Sequence, residues 1–235
     1  MAKNKIKTRK QREKEYKSKY LDVDNDIWMR LKNHLGDNLN EHLLLSAKDR
    51  IKESKKIKYH KLNFTFYEEP VQSHRPRVNF YTRNMHVPNA KENSDAIEKL
   101  IKDIRHDIEL ISTPMKVILT AYYPMPNNIN DLDLLMYELQ HDYAIGKPDF
   151  DNILKAYCDM IQTHIILDDD LVCCCEFNKF FSLKPRVLMS IIYPDGFSSE
   201  YTYKKIKSRK SFKDNEDIIK SELVVKKYKK KRVKK

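Results

Sequence analysis

Residues 147–179 read KPDFDNILKAYCDMIQTHIILDDDLVCCCEFNK. Pro148 disfavours the helical region for Lys147, and Asp149, Asp151 and Asn152 are residue types that open helices. Ile153, Leu154, Cys158 and Ile161 then form an apolar stripe of helical period. Asp151, Lys155 and Asp159 stand four apart, so they line one ridge on the opposite face. The helix should end near Gln162-Thr163. The apolar step Ile165-Ile166-Leu167 leads into Asp168, Asp169 and Asp170, and a strand is expected from about Leu171 to Phe181. A helix and its two flanks thus gather carboxylates from both ends.

Asp149 and Asp151 sit where the helix dipole favours negative charge. Carboxylates packed in a cleft repel strongly, and a hard divalent cation would relieve that. Mg2+ takes oxygen ligands and is typically held by one or two carboxylates together with waters and substrate phosphates. Such a site suits phosphodiester cleavage, with Lys155 neutralising charge on the phosphate. Each feature also has a plain structural reading. Asp-x-Asp-Asn is a helix cap, Asp151/Lys155/Asp159 an ion-pair ladder, and three aspartates a solvated loop.

The ordered combination resembles the RusA-type Holliday junction resolvases. The matching residues are Lys147, Pro148, Asp149, Asp151, Asn152, Lys155 and Asp159, then Leu167-Asp168-Asp169, then Lys179. Upstream, Arg75-Pro76-Arg77 and Val87-Pro88 correspond to a further family feature, and the resemblance covers about residues 57–195. It implies Asp149, Asp151 and Asp169 as catalytic, metal-binding aspartates and Lys155 as the catalytic lysine. The cofactor would be Mg2+, with Mn2+ as the alternative, and the partners four-way or otherwise branched DNA and a second copy of the chain. Two departures stand out. Gln162-Thr163-His164 replaces the family's Asn-Gly, and Asp170 follows the paired aspartates. The extra aspartate leaves the register open, so Asp168 or Asp170 stands as an alternative to Asp169.

Charge distribution supports a polyanion partner. The chain has 235 residues and net charge +12. Residues 204–235 hold fifteen basic and four acidic side chains, net +11, and residues 1–20 are net +7, which leaves the middle at −6. An acidic body with basic ends suits a nucleic-acid enzyme whose chemistry needs carboxylates. Lys147 and Lys179, with Arg75, Arg77 and Arg83 in the basic, aromatic segment 73–88, are the candidate DNA contacts. Tyr81 is a candidate for stacking on an exposed base. Three glycines exclude a Gly-rich phosphate loop. No apolar run is long enough to span a membrane, and no secretory leader is visible, so a cytoplasmic protein of a bacterial or phage-infected cell is expected. Cys158 and Cys173-Cys174-Cys175 lack the spacing of a zinc site.

The domain reading is a basic arm over 1–20, a helical hairpin over 21–56, a nuclease domain over 57–203 and a basic tail over 204–235. In the hairpin, Asn25 or Asp26 should open the first helix, Gly36 should end it, and Asn38 should open the second. Strands are expected at 58–67 and 115–123, and a long helix at 89–112, with Ile97, Leu100/Ile101, Ile104, Ile108 and Ile111 on one side. A short helix at 130–139 follows, and Leu171–Phe181 and Arg186–Tyr193 should pair as a hairpin. This order predicts an α/β (α+β) fold, a small mixed sheet with helices packed on it. The alternatives to a junction resolvase are a broader nuclease for flaps and Y-structures and a non-catalytic basic nucleic-acid-binding protein.

Overall fold

A computed structural model describes residues 21, 23–73, 77–78, 85–86, 95, 99, 101, 109–219 and 222–223. The basic arm 1–20, Arg75, Tyr81, Arg83 and most of the expected helix 89–112 lie outside these. Arg77 is described only as the first residue of β2 (Arg77–Val78), which pairs antiparallel with β3 (Met85–His86).

The chain divides into two compact units, 1–57 with 225–235, and 58–224. In the first, α1 (Asn25–Leu35) and α2 (Glu41–Ser54) close on each other through Trp28 and Leu44. The caps fall beside the expected residues. Asp24 accepts from the Ile27 amide at 2.9 Å, and Asn40 from the Leu43 amide at 3.0 Å. Each carboxylate or amide oxygen satisfies a backbone donor that the helix start leaves unpaired.

The second unit is built on a mixed sheet of β1 (Tyr59–Phe66), β4 (Met115–Pro124), β5 (Val172–Ser182) and β6 (Arg186–Pro194), ordered β1-β6-β4-β5. β1 and β4 each run antiparallel to β6, and β4 and β5 run parallel. Six α-helices are described from end to end, and the class is the expected mixed α/β fold. The core is written in cross-strand rows, because residues in register project from the same face. One row is Phe64–Met189–Leu119–Phe177 and the next Phe66–Val187–Ala121–Lys179. Over this face lies α4 (Phe150–Ile161), which buries Ile153, Tyr157 and Ile161 completely. Tyr157 packs its ring 5.7 Å from that of Phe66 and accepts the Val71 amide.

Three expectations change. First, β5 and β6 do not form a hairpin. β4 lies between them, and its buried residues Val117, Leu119 and Ala121 make it the central strand. The connection 183–185 therefore passes over the end of β4, a gap of about 10 Å at ordinary strand spacing. Glu138, at the end of α3 (Asp131–Glu138), holds this crossing by accepting from Ser182 Oγ and the Leu183 amide. Arg186 adds bonds to Ser182 Oγ and the Lys184 carbonyl, and stacks 3.7 Å over Tyr122.

Second, Ile111 is not helical. It forms a parallel bridge with Ile166, exchanging bonds with Ile165 and Leu167. Asp95, Lys99 and Ile101 are helical, and Ile101 is buried in the core.

Third, residues 204–219 are not a tail. Through α5 (Glu200–Lys207) and α6 (Lys210–Lys213) the chain returns to the core, burying Ile206, Phe212 and Ile219, while β7 (Gly196–Phe197) pairs with β8 (Glu222–Leu223). The basic character of 204–235 conceals apolar residues at spacings that bury one side of two short helices.

Candidate active site

The first acidic pair is positioned from β5. Lys179 stands at the edge of the core face, in the row of Ala121, Val187 and Phe66. Its ammonium donates to the Gly146 carbonyl at 2.5 Å and to the Pro148 carbonyl at 3.3 Å, and its own carbonyl accepts the Ala144 amide. Gly146 has φ +103°, a conformation that glycine adopts without the steric cost of a Cβ. Lys179, expected as a phosphate contact, thus ties the loop before α4 to the sheet. Two of the three donors of its ammonium are used within the protein.

Asp149 is the N-cap of α4, but its side chain makes no capping bond. Asp151 lies in the first turn. Asp149, Asp151, Lys155 and Asp159 are all exposed, as are Lys147 and Phe150. The ridge Asp151/Lys155/Asp159 therefore faces outward as its spacing predicts. Ser73, two residues before Arg75, donates its amide to the Asn152 carbonyl. Beside Phe150 a groove of about 470 Å³ is lined by Tyr143, Leu154, Cys175, Phe177 and Lys179.

The second acidic cluster leaves a buried anchor. Ile165, Ile166 and Leu167 are inaccessible to solvent and bonded to Ile111, and Asp169–Leu171 forms a 3-10 turn pinned by the buried Leu171. Asp168 and Asp170 are both held by Arg209. One guanidinium nitrogen donates to Asp168 at 3.1 Å and to Asp170 at 2.7 Å, and the other to Asp170 at 2.5 Å. Partial burial, then the neighbouring Asp170, push the Asp168 carboxyl above the usual range against the pull of Arg209. The bonds from Arg209 hold Asp170 below it. Asp169 is the member of the triplet that the arginine does not hold, and its side chain lies beside the Asp168 carboxyl, which it helps to raise.

Asp149 and Asp151 stand at the start of α4, and the turn that carries Asp169 follows the helix in the chain. Among the described residues no group of three His, Cys, Asp or Glu side chains is close enough to hold a metal ion.

The family model for Endodeoxyribonuclease RusA matches residues 68–192, more than half of the chain. The chain belongs to the RusA endodeoxyribonuclease family. Within this RusA domain lie both acidic clusters, Lys155 and Lys179. The N-terminal helical unit and the segment carrying Arg209 lie outside it. The chain is also similar to YqaN, an uncharacterized protein of Bacillus subtilis (strain 168), with 27% identity over 134 residues, 55% of this chain and 94% of that one. The RusA family acts on branched DNA junctions, and nuclease function is thereby assigned to the domain 68–192. Arg209 is the residue that sequence reasoning missed. It sits in a lysine-rich run, and the only available signal was the apolar spacing of Ile206 and Phe212 around it.

Proposed function

We propose that this protein is a Mg2+-dependent endonuclease that resolves four-way DNA junctions, acting as a homodimer in the cytoplasm during recombination and repair. The observation that carries the reading is the start of α4. Asp149 occupies the capping position without making a capping bond, Asp151 follows two residues later, and Lys155 stands one turn further along the same exposed side. A cap that does not cap is out of keeping with a purely structural role, since the side-chain bond is what makes aspartate favourable there.

The donor set suits a hard cation. All candidate ligands are carboxylates, and Mg2+ is commonly held by one or two of these plus phosphate and water, so a preformed three-carboxylate cluster is not required. Asp149 and Asp151 would hold the ion, with Asp169 as the carboxylate offered from the second cluster. When bound, Mg2+ supplies Lewis-acid stabilisation and an acidified water. Lys155 places a positive charge beside the phosphate as its negative charge grows. Lys179 fixes the loop that presents Asp149. Lys147 and the arginines of 75–83 would bind flanking phosphates, which sets affinity and orientation but not sequence. A four-way junction has approximate two-fold symmetry, which a dimer with two sites matches.

The test is incubation with a synthetic four-way junction, a Y-fork and a linear duplex of the same sequence, with and without Mg2+. Paired nicks in the junction alone, absent from Asp149→Asn, are the expected result. Equal cutting of the fork would assign a broader branched-DNA nuclease. Tight binding of all three with no cutting would leave a non-catalytic nucleic-acid-binding protein.

A further inference from the structure

Arg209 belongs to a segment that folds onto the nuclease domain from outside the matched region 68–192. Its backbone is fixed on both sides. The Arg209 amide donates to the Ile206 carbonyl, the Arg209 carbonyl accepts the Lys213 amide, and Ile206 and Phe212 are buried in the core. From this base the side chain, 23% exposed, reaches carboxylates some forty residues earlier. It grips Asp170 with both terminal guanidinium nitrogens and Asp168 with one of them. A forked pair of this kind fixes geometry as well as charge, which a lysine in the same place would not do.

Three consecutive carboxylates on a tight turn repel one another. A cation that held the middle one would spoil the turn as a source of ligands. A cation that holds the two outer ones neutralises part of the charge and leaves the middle one outside its grip. Asp169 lies beside the clamped Asp168 carboxyl.

We propose that Arg209 is a positioning residue of the active site, clamping Asp168 and Asp170 so that Asp169 is the carboxylate of the triplet presented to the reaction. The inference rests on the endonuclease reading for the identity of that reaction. On this reading the register of the second acidic motif is set by a residue outside the motif. Groups that orient metal ligands from behind typically contribute 10–100-fold to affinity or activity.

The experiment uses the full-length chain with Arg209→Ala, Arg209→Lys, Asp168→Asn, Asp169→Asn and Asp170→Asn. Single-turnover junction cleavage at saturating enzyme, junction Kd and Mn2+ binding to the free protein followed by electron paramagnetic resonance are measured for each. Arg209→Ala is expected to lose about 10–100-fold in cleavage and to weaken Mn2+ binding, with the junction Kd changed little. Arg209→Lys falls between it and the parent, and keeps the test decisive should the alanine variant fail to fold. Asp169→Asn loses the most of the three aspartate variants in both readouts. Parent-like cleavage and Mn2+ binding in Arg209→Ala, or a larger loss in Asp168→Asn or Asp170→Asn than in Asp169→Asn, would overturn the proposal. If the parent binds Mn2+ but cuts no DNA, the endonuclease reading fails while the order of Mn2+ affinities still decides which aspartate Arg209 presents. If it cuts without measurable Mn2+ binding, the order of cleavage rates decides instead.

Discussion

The ammonium of Lys179, near the end of β5, lies 2.5 Å from the carbonyl of Gly146, three residues before Asp149. Through this contact the edge strand of the sheet sets where α4 begins. Lys179→Met should release the loop at 146–148 and displace the first acidic pair. Misplacement on the ångström scale can cost about a hundredfold in rate. Cleavage at saturating enzyme is therefore expected to fall by about that factor, while the salt dependence of junction binding stays unchanged. A salt slope reduced by one phosphate contact would return Lys179 to the DNA-contact role.

Binding and cutting should separate at α4. Asp149→Asn and Asp151→Asn are each expected to abolish cleavage and to retain junction binding, because removing a carboxylate lessens repulsion from phosphate. Lys155→Ala should cut about a hundredfold more slowly, the usual scale for one electrostatic group at a reacting centre. Gel-shift titration and single-turnover kinetics on the same junction check both expectations.

The C-terminal segment should behave as two parts. A chain ending at residue 203 loses the buried Ile206, Phe212 and Ile219, worth about 5–9 kcal/mol at the usual 1.5–3 kcal/mol per buried side chain. That is comparable to the whole stability of a domain, so the truncated protein is expected to be unfolded by circular dichroism. A chain ending at residue 224 keeps all three. It loses eight basic residues of 225–235, and should fold normally while binding junction and duplex more weakly by similar factors, with a flatter salt dependence.

The cysteines should label in a fixed order. The reactive species is the thiolate. Burial, with the Cys175, Asp159 and Asp169 side chains adding to it, pushes the Cys158 thiol up to about 12. Cys175 is raised too, by burial and then by Cys174. At pH 8 a raised thiol carries less thiolate, so iodoacetamide should modify the exposed Cys173 and Cys174 first and Cys175 more slowly. Cys158 should react only after unfolding. Peptide mass mapping over time reads the order, and early modification of Cys158 would show that α4 opens in the native protein.

Tyr157→Phe should cost about 1 kcal/mol, the scale of one hydrogen bond, since the buried Val71 amide loses the Tyr157 hydroxyl as its acceptor. Ile153→Ala, at a fully buried position of the same helix, should cost about 2–5 kcal/mol. Thermal melts of the two variants test whether α4 is held chiefly by packing.

The sequence by itself determined α4, its outward ridge of Asp151, Lys155 and Asp159, the existence of strand β4 and the membership of Asp149 and Asp151 in one helix start. These follow from periodicity and capping, which act over a few residues and leave a trace in local order. Strand order was decided only in three dimensions. The short link 183–185 reads as a hairpin turn, yet β4, with both edges needing partners and its core face fully apolar, takes the place between β5 and β6. The role of 204–219 was hidden for a similar reason: a few buried residues among many lysines make a fold element that composition reads as a tail. The grip of Arg209 on Asp168 and Asp170 joins groups about forty residues apart. Such a contact depends on where two separately built segments come to rest, and no spacing within either segment encodes it.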